Sequence, residues 1–95
     1  MKSISMDDLA EVLNDPNSKI IDIRDNYVYQ MGTILTAVNI PSNFLMAMPE
    51  EYLNHHTHYY LFCDYGVKSS KVVRYLDSLG YDVSNILGGY HSYHN

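Results

Sequence analysis

The sequence holds one cysteine, no tryptophan, six basic residues against eleven acidic ones, and no apolar run longer than a few residues. Each scarcity closes a class of function. A lone cysteine excludes an internal disulfide and demands no oxidising compartment. A formal net charge of −5 provides no basic face for neutralising phosphates, which argues against nucleic-acid binding. Without a run of about 20 apolar residues no helix is expected to span a membrane. The opening "MKSISMDDLA" places two acids where a signal peptide would be apolar, so the expected setting is the cytoplasm. No repeat, linker or low-complexity tract interrupts the chain, and residues 1–95 read as one globular domain.

Apolar residues make up 46% of the chain and charged ones 18%, the balance of a chain that buries a core. Ten tyrosines suit core edges, where the ring is buried and the hydroxyl stays wet. Ser5 precedes a short helix, with Asp8 three residues on and Met6, Leu9, Ala10 and Leu13 on one face. "DPNS" is a turn, and Lys19 to Ile23 a β-branched strand. A brief helix follows, stopped by Gly32. "TAVNIP" is a second strand and "SNFLMAMPEEYLN" one or two helical turns, the second starting at Pro49. "HYYLFC" is a strand apolar enough to be covered on both faces. "SSKVVRYLDSLGY" is the clearest helix, striped by Val72, Val73, Leu76 and Leu79 and capped by Gly80. "DVSNIL" is the last strand, and "GGYHSYHN" a turn and tail. Strands alternating with helices give an α/β domain with a mostly parallel sheet. In such sheets chemistry sits beyond the carboxyl ends of the strands, and Cys63 lies at such an end.

The stretch "CDYGVKSS" therefore carries the candidate site. A helix starting near Ser69 would aim its first N–H groups back at Cys63, and Gly66 lets the turn curl into an anion nest. A thiol held there should be acidified, with Lys68 adding charge at the rim and Ser69 a hydroxyl or an N-cap. The alternative is an inert cysteine that fills the end of a core strand. The nest reading instead makes Cys63 solvent-accessible, so that its removal would change stability little.

"CDYGVKS" resembles the active-site loop of the rhodanese-like sulfurtransferases: cysteine, two variable residues, glycine, one variable residue, a basic residue, serine. "IIDIR", with Asp22 and Arg24, "GTILTAVNIP" and "LGYDVSNILGGYHSY" resemble further segments of that family in order and spacing. The resemblance implies a three-layer α/β fold with a parallel five-stranded sheet, helices on both faces and a short first strand near Ile4. It implies two-step transfer of a sulfane sulfur through a persulfide on Cys63, with Asp64, Tyr65, Gly66, Val67, Lys68 and Ser69 forming the substrate-binding loop. No metal or organic cofactor is implied. The partners would be a small-molecule or protein-borne sulfur donor and a thiol acceptor.

Departures from that pattern are Thr33 for histidine, Thr36 for a frequent glycine, Tyr93 for tryptophan and Lys68 for arginine. Asp22 and Arg24 read as a structural pair, or a carboxylate bonded to loop N–H groups, at positions that could support the site. "HHTH", residues 55–58, reads as a solvated loop remote from Cys63 rather than a zinc site. Two rivals stand beside a sulfurtransferase. A phosphatase or arsenate reductase of the Cys-x5-Arg type would need arginine where Ser69 stands. A non-catalytic persulfide carrier or protein-binding module would keep the fold without turnover. Because Asp64 follows the cysteine, a doubly charged donor such as thiosulfate is expected to be poor.

Overall fold

The computed structural model describes residues 2–93. Five strands form one sheet in the order β1-β5-β4-β2-β3, and every neighbouring pair is parallel. In chain order they are β1 (Ser3–Ile4), β2 (Ser18–Asp22), β3 (Val38–Asn39), β4 (His58–Phe62) and β5 (Val83–Ile86). Between them run α1 (Leu9–Leu13), α2 (Asn26–Met31), α3 (Ser42–Ala47) and α4 (Val67–Ser78). β1 pairs with β5, the short edge strand that the family resemblance implied.

The central strands alternate strictly between two apolar layers, as a sheet covered on both faces requires. Ile21, Leu61 and Val83 face α3 and α4, packing with Leu45, Val72, Val73 and Leu76. Ile20, Phe62 and Ile86 face the other way and pack with Leu9 and Val12 of α1. This places helices on both sides of the sheet. No helix among the described residues is long and apolar enough to cross a membrane.

Several local expectations shift. A 3-10 turn at Met6–Asp8 leads into α1, and Ser5 bonds the Asp8 carboxylate instead of a backbone N–H. Three residues per turn at the entry rotate the buried face, so Leu9 and Val12 are buried while Ala10 and Leu13 are exposed. The strand expected at "TAVNIP" shrinks to Val38–Asn39, and α4 begins at Val67 rather than near Ser69. At the far end of α4, Gly80 N–H reaches Asp77 O and Tyr81 N–H reaches Leu76 O, a Schellman closure. Leu79 falls past the last helical turn and is exposed. The segment 88–93 is more ordered than a tail: Gly89–Ser92 form a 3-10 turn, while His94 and Asn95 of "GGYHSYHN" lie outside the described residues.

The histidines of "HHTH" part company. His55 stacks on Tyr81 and meets the Gly80 carbonyl. His58 is not in a solvated loop: it opens β4, half-buried, between Asp82 (2.7 Å) and Ser84 (2.9 Å). Lys2 also bonds Asp82, and these two partners hold the Asp82 carboxyl below its usual range. The cluster ties β1, β4 and β5 together at the end of the sheet opposite Cys63.

Thr36 is the one non-glycine residue with a positive φ among those described, at 70°, in a turn closed by Ala37 N–H to Ile34 O. A β-branched side chain is strained there, whereas glycine adopts that φ freely. Thr36→Gly is expected to stabilise the fold by about 1 kcal/mol, several degrees in Tm for a chain of this size. An unchanged or lower Tm would mean that the added chain entropy offsets the relieved strain.

Candidate active site

Cys63 follows the last residue of β4, and Gly66 closes a three-residue turn before α4. Gly66 has φ 93°, and a Cβ there would lie 3.1 Å from Gly88 N, so the turn is open to glycine alone. Because α4 starts at Val67, Ser69 lies inside its first turn rather than at the N-cap. Its N–H points at the Cys63 sulfur at 3.3 Å, beside the Gly66 N–H at 3.2 Å. The Ser69 hydroxyl lies 3.3 Å from the same sulfur.

The C-terminal turn holds two loop carbonyls outward. Tyr90 N–H bonds Cys63 O at 2.8 Å, and His91 N–H bonds Asp64 O at 2.9 Å. In a planar trans peptide the N–H opposes the C=O, so the pinned Asp64 carbonyl aims the Tyr65 N–H toward the sulfur. The C-terminal 3-10 turn is thus a clamp on the loop. It needs Gly89, because a Cβ at that position would overlap Cys63 O and lie 2.8 Å from the Asp64 carbonyl. The sequence flagged "GGY" as a turn, but only the fold brings it against residue 63.

Cys63 is 6% exposed and packs among the residues of the α3–α4 layer, more buried than an open nest would leave it. Cys63 nonetheless lines a cleft of about 480 Å³ with Arg24, Tyr27, Tyr65, Val67 and Lys68. Burial pushes the thiol pKa up, but the Ser69 hydroxyl and the N–H groups of Ser69, Gly66 and Tyr65 outweigh it, and the pKa is lowered. Lys68 lies exposed at the cleft and is not among these causes. The arrangement can hold a sulfur anion on a residue that borders an open cleft.

Asp22 and Arg24 form the expected pair, and more. The Arg24 guanidinium bonds Asp22 at 2.6 Å and the Gly32 carbonyl at 2.7 Å, and it lies over the Tyr90 ring. It also reaches Asp64 in the loop at 3.4 Å, so Asp64 is paired rather than free. Thr33, where histidine was expected, donates to Asp22 at 2.9 Å and supports the same network. Asn85 was not foreseen. It is 2% exposed on β5, accepts from the Ser69 hydroxyl at 2.5 Å and donates to the Gly66 carbonyl at 3.2 Å. A buried asparagine inside an apolar strand was the signal available for it. Among the described residues no three His, Cys, Asp or Glu side chains are grouped to hold a metal ion.

Alkylation followed against pH should show a Cys63 midpoint below the ordinary thiol value of about 8.5. Reactivity then climbs as pH rises through that lowered midpoint and levels off above it. Ser69→Ala is expected to raise the midpoint and Lys68→Ala to leave it nearly in place. A reversed order of these two variants would mean that side-chain charge, not the fixed donors, controls the thiol.

Comparison with known proteins agrees with this geometry. A rhodanese-like domain protein from Staphylococcus aureus is 35% identical, with all of this chain and 93% of that one aligned at a TM-score of 0.88. A human single-domain sulfurtransferase shares the fold at 24% identity and a TM-score of 0.81, with 96% of this chain and 93% of that one covered. A tRNA uridine(34) hydroxylase from Salmonella newport is 31% identical over 88 residues, which cover 86% of this chain and 25% of that protein. This chain thus spans about a quarter of the length of the curated relatives it matches. Residues 5–95 match the rhodanese-like domain, and with the loop, the paired Asp22 and Arg24 and the parallel sheet already in place, the chain belongs to the rhodanese-like domain family.

Proposed function

We propose that the protein is a sulfurtransferase that carries a sulfane sulfur on Cys63. The observation that carries this reading is the Cys63 sulfur, facing the Gly66 and Ser69 N–H groups at 3.2 and 3.3 Å on a residue that lines an open cleft. Fixed donors at those distances favour negative charge on sulfur without any reorganisation during the reaction. In the first step the Cys63 thiolate attacks the outer sulfur of a persulfide donor. A Cys63 S–S bond forms, the donor S–S bond breaks, and its electron pair leaves with the donor thiolate. In the second step an acceptor thiolate attacks the outer sulfur and the electron pair returns to Cys63. Splitting one transfer into two displacements is covalent catalysis. Asp64, Tyr65, Val67 and Lys68 line the cleft, while Gly66 and Ser69 donate to the sulfur from behind it.

The similarity to the tRNA hydroxylases lies within about a quarter of their length and supports the domain, not their reaction. Tyr27, Tyr65 and Val67 stand exposed around the cleft, with Val28 beside them. Such a rim favours a donor with an apolar body or a protein-borne persulfide over a small dianion. The proposed setting is the cytoplasm, where a thiol acceptor is at hand.

Incubation with a persulfide donor is expected to add the mass of one sulfur atom to the protein, and Cys63→Ala to abolish both that increment and turnover. An increment that survives in Cys63→Ala would remove Cys63 from the mechanism. Increment without turnover on any thiol acceptor would identify a carrier. The variant should also lose about 1 kcal/mol of stability, since Cys63 is packed in the core.

Donor preference follows from the carboxylate beside the loop. Arg24 already serves Asp22, so Asp64 retains part of its charge toward an incoming dianion. Thiosulfate is therefore expected to be a poor donor, and Asp64→Asn to raise its kcat/KM about threefold at low ionic strength. Unchanged kinetics would mean that Arg24 neutralises Asp64 fully.

A further inference from the structure

Behind the loop, three polar groups stand in line. The Cys63 thiol faces the Ser69 hydroxyl at 3.3 Å, and that hydroxyl faces Asn85 Oδ1 at 2.5 Å. All three residues are buried, at 6%, 0% and 2% exposure. The Asn85 amide has one workable orientation. Its Nδ2 donates to Gly66 O at 3.2 Å, and turning it over would set two acceptors against each other. Asn85 therefore presents Ser69 with an acceptor and never a donor.

A serine hydroxyl has a single proton. While Cys63 is a thiol, the chain runs outward: S–H to Ser69 Oγ, and Ser69 O–H to Asn85. Once the sulfur is ionised it can only accept, and the Ser69 proton is wanted at both ends. A hydrogen bond to a charged acceptor is the stronger of the two. The hydroxyl then rotates toward the sulfur and leaves Asn85 Oδ1 buried without that donor, a state that costs free energy.

We infer that Asn85 is a positioning residue that competes with the Cys63 sulfur for the one proton of Ser69, so that the hydroxyl follows the charge on the sulfur. The inference rests on Cys63 as the reacting group, and it assigns the hydroxyl two places in the cycle. With the thiolate free, the hydroxyl donates to it. With a sulfane sulfur attached, Sγ is neutral, the charge sits one atom outward, and the hydroxyl returns to Asn85. When the acceptor takes the outer sulfur and charge returns to Sγ, the hydroxyl turns back to meet it. Asn85 thereby limits how far the free thiol is acidified and satisfies Ser69 in the loaded state.

A four-protein cycle tests this: the natural chain, Ser69→Ala, Asn85→Leu and the double variant. Leucine has the branching of asparagine, with the same number of side-chain heavy atoms, and removes both polar ends. Gly66 O keeps a partner in the Ser70 N–H at 3.2 Å, which supports folding of the variant. The readout is the rate of alkylation by iodoacetamide from pH 5 to about 10, with rates compared below the midpoint, where they track the thiolate fraction. Loss of the Gly66 contact and any repacking act with or without the Ser69 hydroxyl and cancel. The expected result is that Asn85→Leu favours the thiolate more when Ser69 is present than in the Ser69→Ala background. That coupling should be about threefold to tenfold in rate, the scale of one hydrogen bond. Coupling of the opposite sign, or none, would overturn the proposal, the first by showing that Asn85 aims the hydroxyl at the sulfur. If Asn85→Leu does not fold, Asn85→Ala completes the same cycle. Sulfur loading measured on the natural chain separates the two readings: absence of a persulfide would remove the transferase assignment while the ionisation cycle still decides the role of Asn85.

Discussion

The outward anchoring of two loop carbonyls is the constraint on which the site depends. Cys63 O and Asp64 O are each held by an N–H of the C-terminal turn, from Tyr90 and His91. A peptide plane has two ends, and fixing one fixes the other. The Tyr65 N–H faces the sulfur because the Asp64 carbonyl of its peptide is already bound elsewhere, while Gly66 and Ser69 present theirs from the glycine turn and the first turn of α4. Gly89 is what this closeness requires: the two backbones approach until no side chain fits between them.

The same logic runs through the rest of the site. The first turn of α4 has N–H groups with no partner inside the helix, and Ser69 contributes one of them to the sulfur. Arg24 sits between the β2 end and the loop, balancing Asp22 and reaching Asp64, with the Tyr90 ring against its face. Breaking that buried pair would leave a charged carboxylate without its counterion, which is far costlier than removing a surface ion pair. Tyr90 thus joins two devices, clamping the loop through its N–H and covering the guanidinium with its ring. The loop, Arg24 and the C-terminal turn gather at one end of the sheet. The opposite end is tied by the Lys2, His58, Asp82 and Ser84 cluster, where no cleft faces the sulfur.

The fold was legible where periodicity decides structure. β2 and β4 have apolar residues on both faces and could only be interior strands of a covered sheet. α4 showed its stripe at Val72, Val73, Leu76 and Leu79 and its stop at Gly80, and all but Leu79, which is exposed past the last turn, stand as expected. The short elements were less legible. β3 has two residues, and α1 changes its buried face because a 3-10 turn precedes it. Neither has enough residues for a period to outweigh its context.

By itself the sequence determined the lone cysteine at a strand end, the glycine turn after it, the helix that follows, and the Asp22 and Arg24 pairing two residues apart. These are local in the chain, and their chemistry is written in residue type and spacing. Only the tertiary structure decided that Asn85 stands behind Ser69, that Gly89 meets Cys63 and that Arg24 reaches Asp64. It also decided that Cys63 is buried beside a cleft rather than set at an open rim. Those contacts join residues 16 to 40 positions apart, and their distances depend on how neighbouring strands are ordered in the sheet, β5 beside β4 and β4 beside β2. No local pattern records a strand order, because the hydrogen bonds of a parallel pair connect backbone groups that are the same for every residue.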